Sequence, residues 1–349
     1  MDLPPVSPLD LDARRAAVAR HAELAVPTGG LGRLAELGVW LAAVQGTCPP
    51  RPPARARVVV VAADHGIAAA GVSADPPGAT ARQVAAIGEH TAPVAVTAPV
   101  AGASVRVVDV AVDTDPAGAG ETGPGGAGRY RVRRGSGRID VEDALTEDET
   151  DRALQIGRGL ADEEVDAGAD LLIPAALGVG ASTPASVLVA ALTGTEPVAV
   201  IGRGSGIDDA TWMRKAAAVR DALRRAKPHL GRPAVLLRVA GGVDLAVLAG
   251  FCAQAALRRT PVLLDGVVVG AAALLADRLA PGAKDWWLIA QRSPEPAMEL
   301  VVGRLDQRPL LELGLRVGDG VGAVAALPLL QMAARLLAET ATVAEPTPV

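Results

Sequence analysis

Asp319 stands between two glycines in Leu313-Gly314-Leu315-Arg316-Val317-Gly318-Asp319-Gly320-Val321-Gly322, directly ahead of the apolar run Ala323–Leu330. Glycine on both sides lets the backbone turn sharply and lets a ligand come close. The helix start that follows offers free N–H groups, so a carboxylate here faces whatever binds the loop. A second candidate is Ile201-Gly202-Arg203-Gly204-Ser205-Gly206-Ile207-Asp208-Asp209, which leads into a helical stretch carrying Lys215. Three alternating glycines before a helix start can cradle an anion on backbone N–H groups, and the lysine favours a monophosphate. The spacing is neither the dinucleotide fingerprint nor a P-loop. A plain turn with Asp208 as N-cap is the competing reading.

Other polar residues sit where strands are expected to end. Arg57–Ala63 runs into Asp64-His65-Gly66 and then Gly71-Val72-Ser73-Ala74. Asp64 reads as a helix cap and His65 as a satisfied partner. Leu171–Pro174 is followed by Leu177-Gly178-Val179-Gly180-Ala181-Ser182-Thr183. Ala240-Gly241-Gly242, Leu264-Asp265-Gly266 and Gln291-Arg292-Ser293 are read as three further strand ends. Several such ends in one parallel sheet share a cleft beyond the strands' carboxyl termini.

The elements that must hold these residues alternate. Leu9–Leu24 and Leu31–Val44 have helical spacing, and the proline-rich connector Pro49–Pro53 closes this opening. Arg57–Ala63 and Val105–Val112 are continuous β-branched runs of strand length, typical of strands buried on both faces. Pro116–Gly128 is aperiodic and glycine-rich, so a flexible loop is expected. Leu145–Ala167 reads as an acidic amphipathic helix. Strand-like and helix-like segments then alternate through Ser186–Leu192, Asp208–Arg225, Ala234–Val239, Leu245–Arg258, Pro261–Leu264, Gly270–Leu279 and Trp286–Ala290. Ala323–Leu337 is a terminal helix with a kink expected at Pro328, and Thr340–Val349 a frayed tail. The pattern predicts an α/β fold: a parallel sheet with helices on both faces.

Composition narrows the function. The chain has 349 residues, half of them apolar, with 2% aromatic and net charge −5. Scattered basic residues and a single Tyr and Phe argue against nucleic acid as partner. Two cysteines without metal-type spacing fit a reducing cytoplasm and give no sign of a metal site. Met1–Arg20 shows no signal-peptide pattern, and the apolar runs Val94–Val112 and Val243–Ala276 are interrupted, so no membrane partner is expected.

Taken in order, the segments from Pro27-Thr28-Gly29-Gly30-Leu31-Gly32-Arg33-Leu34 to Leu313–Leu330 resemble the nicotinate-nucleotide–dimethylbenzimidazole phosphoribosyltransferase family of cobalamin lower-ligand synthesis. The resemblance includes Ala62–Gly66, Gly71–Ala74, Gly202–Asp209, Leu264–Gly266 and Arg292-Ser293, and covers nearly the whole chain. It implies a Rossmann-like parallel sheet in residues 56–304 and a small helical lobe made by residues 1–55 with 305–349. It also implies a homodimer and a reaction that needs no metal or other cofactor. Four departures stand out. Asp319 replaces the family's glutamate, Ala176 its second carboxylate, and Gln291 its histidine, while the usual stretch around Glu89–Val100 is not recognisable.

The chemistry the resemblance implies is attack of a benzimidazole nitrogen on C1′ of nicotinate mononucleotide, with nicotinate leaving. The ring's other N–H becomes acidic as that bond forms, and Asp319 is expected to take its proton. Gly202–Gly206, Lys215 and Ser293 are expected to hold the 5′-phosphate, and Ser73 and Gln83 to seat the acceptor. Val72, Leu177 and Leu315 supply small aliphatic walls, and Gly178, Arg203 and Asp265 complete the expected substrate-binding set. Two alternatives remain open: transfer to another base such as adenine or a phenol, and a silent paralogue that binds a nucleotide or a benzimidazole without turnover.

Overall fold

The computed structural model describes residues 3–114 and 128–343, so the expected glycine-rich loop lies outside the described residues except for Gly128. Two helices open the chain, α1 (Leu11–Glu23) and α2 (Gly32–Gln45). β1 (Ala56–Ala63) follows, then α3 (Ala79–Gly88), α4 (Pro93–Thr97) and β2 (Ala103–Ala111). α5 (Glu147–Asp166) starts at a capping box in which Thr146 and Glu149 exchange hydrogen bonds. β3 (Leu171–Leu177) leads to α6 (Ser182–Thr193), α7 (Asp209–Ala226), α8 (Pro233–Ala240) and α9 (Val243–Leu257). The chain then runs through β4 (Val262–Leu264), α10 (Gly266–Leu279), β5 (Trp287–Ile289), α11 (Pro296–Leu305) and α12 (Val321–Glu339).

The five strands pair in parallel in the order β2-β1-β3-β4-β5. All carboxyl ends therefore share one edge, and the order reverses between β1 and β3, where ligands bind in such sheets. The apolar run in β1 is buried on both faces. Val59 and Val61 pack into the core formed with α6, α9 and α10, and Val58 and Val60 into the opposite core with α2, α4 and α12. α12 is long and apolar enough by composition to cross a membrane, but half of that apolar window is buried here. Leu327 and Leu330 seat it on the sheet core, and the helix continues through Pro328.

Three readings are corrected. Ala234–Val239 is the helix α8, and Ala240-Gly241-Gly242 therefore ends a helix, not a strand. Pro233 occupies its first turn, where fixed φ and a missing N–H suit a helix start. Ser186–Leu192 lies inside α6, buried throughout. A short apolar run looks alike as buried strand or buried helix, which is why periodicity did not separate them. Residues 340–343 are also not frayed, because Thr342 bridges Leu24 and Ala25 N–H donates to the Ala341 carbonyl at 2.8 Å. The two chain ends thus meet, and Arg20 on α1 donates to the carbonyls of Leu337 and Ala338 at 2.6 and 2.9 Å.

α5 lies so close to α9 that a Cβ at Gly157 would run into the Val247 carbonyl, and one at Gly250 into that of Leu154. Gly157→Ala gains about 1 kcal/mol of helix propensity. A clash with backbone has no rotamer escape, however, and overpacking costs about 1–3 kcal/mol or more. A lower Tm is expected for Gly157→Ala and an equal or higher one for Gly159→Ala, whose Cβ meets nothing within 4 Å. Calorimetric melting of both variants checks the pair.

Candidate active site

The loops beyond the strands' carboxyl ends enclose a cleft of about 360 Å³. Ser73 reaches it from the loop after β1, Leu177 and Gly178 from the end of β3, Asp265 from the end of β4, and Ser293 from the loop after β5. Gln83 enters from α3, Gly204 from the glycine loop before α7, and Asp319 from the turn before α12. Eight residues expected from sequence thus converge on one cavity. Gly202, Arg203, Lys215 and Leu315 do not line it, and Val72 is buried away from it.

Asp319 is 5% exposed. Its Oδ1 accepts from Val321 N–H and its Oδ2 from Val94 N–H, both at 3.3 Å. Burial pushes its pKa up, and the backbone N–H groups of Val321, Val94 and Asp319 itself oppose the rise only partly. Val94 lies on α4, inside the stretch around Glu89–Val100 where the family pattern is not recognisable. That stretch nonetheless supplies a backbone donor that aims the carboxylate, a contribution no side-chain pattern could announce. The turn itself is fixed to the sheet, because Ala176 N–H donates to the Gly318 carbonyl at 2.9 Å.

Asp265 lines the cleft, but its carboxylate is already engaged. Oδ2 accepts from Gly322 N–H at 2.8 Å and Ala323 N–H at 3.3 Å, and Oδ1 from Gln291 Nε2 at 3.3 Å. It therefore caps the first turn of α12 and holds the Asp319 turn in place, rather than offering free oxygens to a substrate. Gly322 has to be glycine, since a Cβ there would lie 2.7 Å from Asp265 Oδ1. Burial pushes the Asp265 carboxyl up to about 6, with the neighbouring Asp319 charge adding to the rise against the three hydrogen bonds. Leu315 serves the same turn, its carbonyl accepting from Gln291 Nε2 at 3.4 Å.

The glycine loop is tied to the loop after β1. Ser205 Oγ accepts from Ala74 N–H at 3.0 Å and lies 3.2 Å from Ser73 Oγ. Lys215 sits behind the loop, 1% exposed, with its Nζ donating to Ser182 Oγ at 2.9 Å. Burial lowers its pKa, and the nearby Glu295 charge partly restores it. Arg203 is turned away from the cavity, donating to the Ile207 carbonyl at 2.8 Å and to Asp209. It locks the loop's exit. Asp208 does cap α7, accepting from Thr211 N–H at 2.8 Å, so the turn reading and the anion-cradle reading describe two ends of one segment.

Sequence reasoning missed Glu295 and Ser182. Glu295 lines the cleft and accepts from Gly204 N–H at 2.9 Å through Oε1. A glutamate just before a proline-started helix reads as a helix boundary, so nothing local marked it. Asp64 and His65 stay structural. Asp64 accepts from Thr80 Oγ1, Asp113 N–H and Val179 N–H at 2.5, 2.7 and 3.2 Å, joining three loops rather than capping a helix. His65 pairs with buried Asp244 at 3.1 Å. Burial alone would pull the imidazole pKa down, and Asp244 more than offsets it, so the ring is held toward its charged form.

A cleft at the strand ends lined by a buried carboxylate and by a glycine loop over a buried lysine suits transfer of a phosphate-bearing group. Comparison with known proteins agrees. A family model described as phosphoribosyltransferase matches residues 6–347. The chain is 56% identical over 345 residues to the nicotinate-nucleotide–dimethylbenzimidazole phosphoribosyltransferase of Mycobacterium avium (strain 104), covering 99% of this chain and 97% of that one. It is 54% identical to the protein of the same name from Mycobacterium leprae (strain TN), with the same coverage. A crystal structure of CobT from Thermus thermophilus matches with a TM-score of 0.89 at 38% identity, over 95% of this chain and 97% of that chain. Sequence and fold together therefore place the chain in this phosphoribosyltransferase family.

Proposed function

We propose that this protein transfers the phosphoribosyl group of nicotinate mononucleotide to 5,6-dimethylbenzimidazole, releasing nicotinate and forming alpha-ribazole 5′-phosphate. The observation that carries the reading is that Asp319 and Gly204 line one and the same cleft. The nucleotide's phosphate sits at the Gly204 loop, with Lys215 behind it and Ser182 and Ser293 alongside. C1′ then faces the part of the cleft where Asp319 and Leu177 flank the acceptor and Ser73 and Gln83 edge the mouth. One acceptor nitrogen attacks C1′, and the C1′–N bond to the pyridinium breaks with its electrons passing to nicotinate. The acceptor's second nitrogen loses its proton to the Asp319 carboxylate, which leaves a neutral benzimidazole. Asp265 acts through the turn, keeping Asp319 at the acceptor rather than touching substrate. Nicotinate release from nicotinate mononucleotide, measured with a panel of purified bases, tests the assignment. Release with dimethylbenzimidazole is expected, release only with adenine or a phenol would redirect the acceptor, and nucleotide binding without release would leave a silent paralogue.

The assembly belongs to the same reading. The expected small lobe is read in residues 3–55 with 305–343, whose helices α2 and α12 also cover one face of the sheet of the larger unit. Leu9, Val18, Val39 and Trp40 line an apolar groove between α1 and α2, with Val18 55% exposed. A second copy of the chain would cover such a surface. A dimer is expected by light scattering at micromolar concentration, and a monomer there would count against it. Cys48 and Cys252 are unpaired, which fits the cytoplasmic location this reading assigns.

A further inference from the structure

We propose that Glu295 is a resident counter-anion: in the empty enzyme its carboxylate fills the glycine nest over Lys215, and a substrate phosphate enters only as that carboxylate leaves. The inference rests on the nest being the phosphate seat. It adds a residue that controls access to the seat.

Three observations converge on it. Glu295 is 8% exposed, and its Oε1 accepts from Gly204 N–H at 2.9 Å, so the N–H expected to meet a phosphate already meets an anion. The room for that anion exists because residue 202 has no side chain, since a Cβ at Gly202 would run into the Glu295 carboxylate. Lys215 is nearly fully buried, and its hydrogen-bond partner among the described residues is a neutral hydroxyl, Ser182 Oγ at 2.9 Å. A buried ammonium with no anion nearby is unstable, and the Glu295 charge supports its protonated form. Lys215 can balance one anion. A phosphate dianion placed against a retained carboxylate would leave excess negative charge in a poorly hydrated seat, where like charges repel strongly.

The arrangement gives a form of selectivity. Phosphate alone must displace a tethered competitor whose effective concentration is high. Displacement costs both ligands the same factor, so a nucleotide, whose ribose and base contacts add to its grip, still binds where the weaker free phosphate does not. Glu295 thus raises the intrinsic affinity a ligand needs to hold the seat, which keeps weakly held free phosphate out.

The test is calorimetric titration of inorganic phosphate and of nicotinate mononucleotide into the parent, Glu295→Gln and Glu295→Ala at pH 7. Removing the competing charge should tighten inorganic phosphate by about tenfold or more in both variants, with a gain of similar size for the nucleotide. Unchanged or weaker phosphate binding in folded variants overturns the proposal, and a parallel loss for both ligands would mean that Glu295 supports the bound state. Should the variants fail to fold, a crystal structure of the parent with phosphate decides. Glu295 Oε1 released from Gly204 N–H supports the displacement, and the bond retained beside phosphate overturns it. Nicotinate release separates this inference from the assigned activity. Tighter phosphate without turnover leaves Glu295 standing and removes the transferase reading, while normal turnover without tighter phosphate does the opposite.

Discussion

Asp319→Asn is expected to release nicotinate about 10²–10⁴-fold more slowly than the parent when dimethylbenzimidazole is the acceptor, the usual range for removing a general base. The asparagine oxygen can replace only one of the two acceptors, since Oδ1 takes the Val321 N–H and Oδ2 the Val94 N–H, so an unchanged melting temperature and nucleotide affinity are needed for the loss to report proton transfer. Nucleotide affinity should change little, because this group faces the acceptor and not the glycine loop. Against the family's glutamate, the aspartate carboxylate is shorter by one C–C bond, about 1.5 Å, so the parent is expected to be active but slower than an enzyme with the longer side chain. Asp319→Glu should then restore or raise the rate if the pocket has kept the family's depth, and lower it if the cavity has closed around Asp. An Asn variant as fast as the parent would show that solvent or another group takes the proton.

The pH dependence carries the same assignment. Asp319 acts in its ionised form, and burial raises its pKa, so kcat/KM should fall as pH drops through a value above the ordinary aspartate range. Asp265 and Arg316 line the same cleft, and Asp265, itself held near about 6, adds repulsion as it ionises. The acid limb should vanish in Asp319→Asn at its low residual rate. A limb that persists unchanged there would belong to a different group.

The sheet was legible where burial is continuous. β1 and β2 announced themselves because β-branched runs long enough for a strand leave one reading. α8 and the interior of α6 did not, because Leu, Val and Ala over seven or eight residues suit a buried helix as well as a buried strand. In the site, glycine-bracketed residues were found because glycine marks turns. What those turns do depends on partners far away in sequence. Asp265 looks free in the chain and proves to be engaged by Gly322 and Ala323, more than fifty residues on. Arg203 looks like a phosphate ligand and is turned to its own loop. Glu295 gives no local signal, because its meaning lies in reaching Gly204 from another strand's loop. Residue type predicted which segments form the cleft, and only packing decided which side chains have hydrogen-bonding capacity to spare.

Gly204→Val is the substitution that should most weaken the nucleotide side of the cleft. Gly204 has φ +47°, a region that a β-branched residue enters only with strain. A Cβ there would lie 3.1 Å from Ser182 Oγ and 3.6 Å from Lys215 Nζ, and valine adds two methyl groups beyond it. The N–H would be re-aimed and the buried ammonium screened from a ligand. Losing one charge-assisted hydrogen bond of about 1.5–3 kcal/mol corresponds to on the order of 10–10²-fold in affinity for nicotinate mononucleotide. Calorimetry reads that loss, with far-ultraviolet circular dichroism confirming a folded chain. The expected kinetic signature is a raised KM for the nucleotide with a smaller change in kcat, because the phosphate grip acts on ground state and transition state alike. Glu295 gives the measurement a second use. Valine also blocks the carboxylate's seat, so Gly204→Val combined with Glu295→Gln should bind phosphate no better than Gly204→Val alone. A folded Gly204→Val with unchanged nucleotide affinity would move the phosphate elsewhere, and the role assigned to Glu295 would go with it.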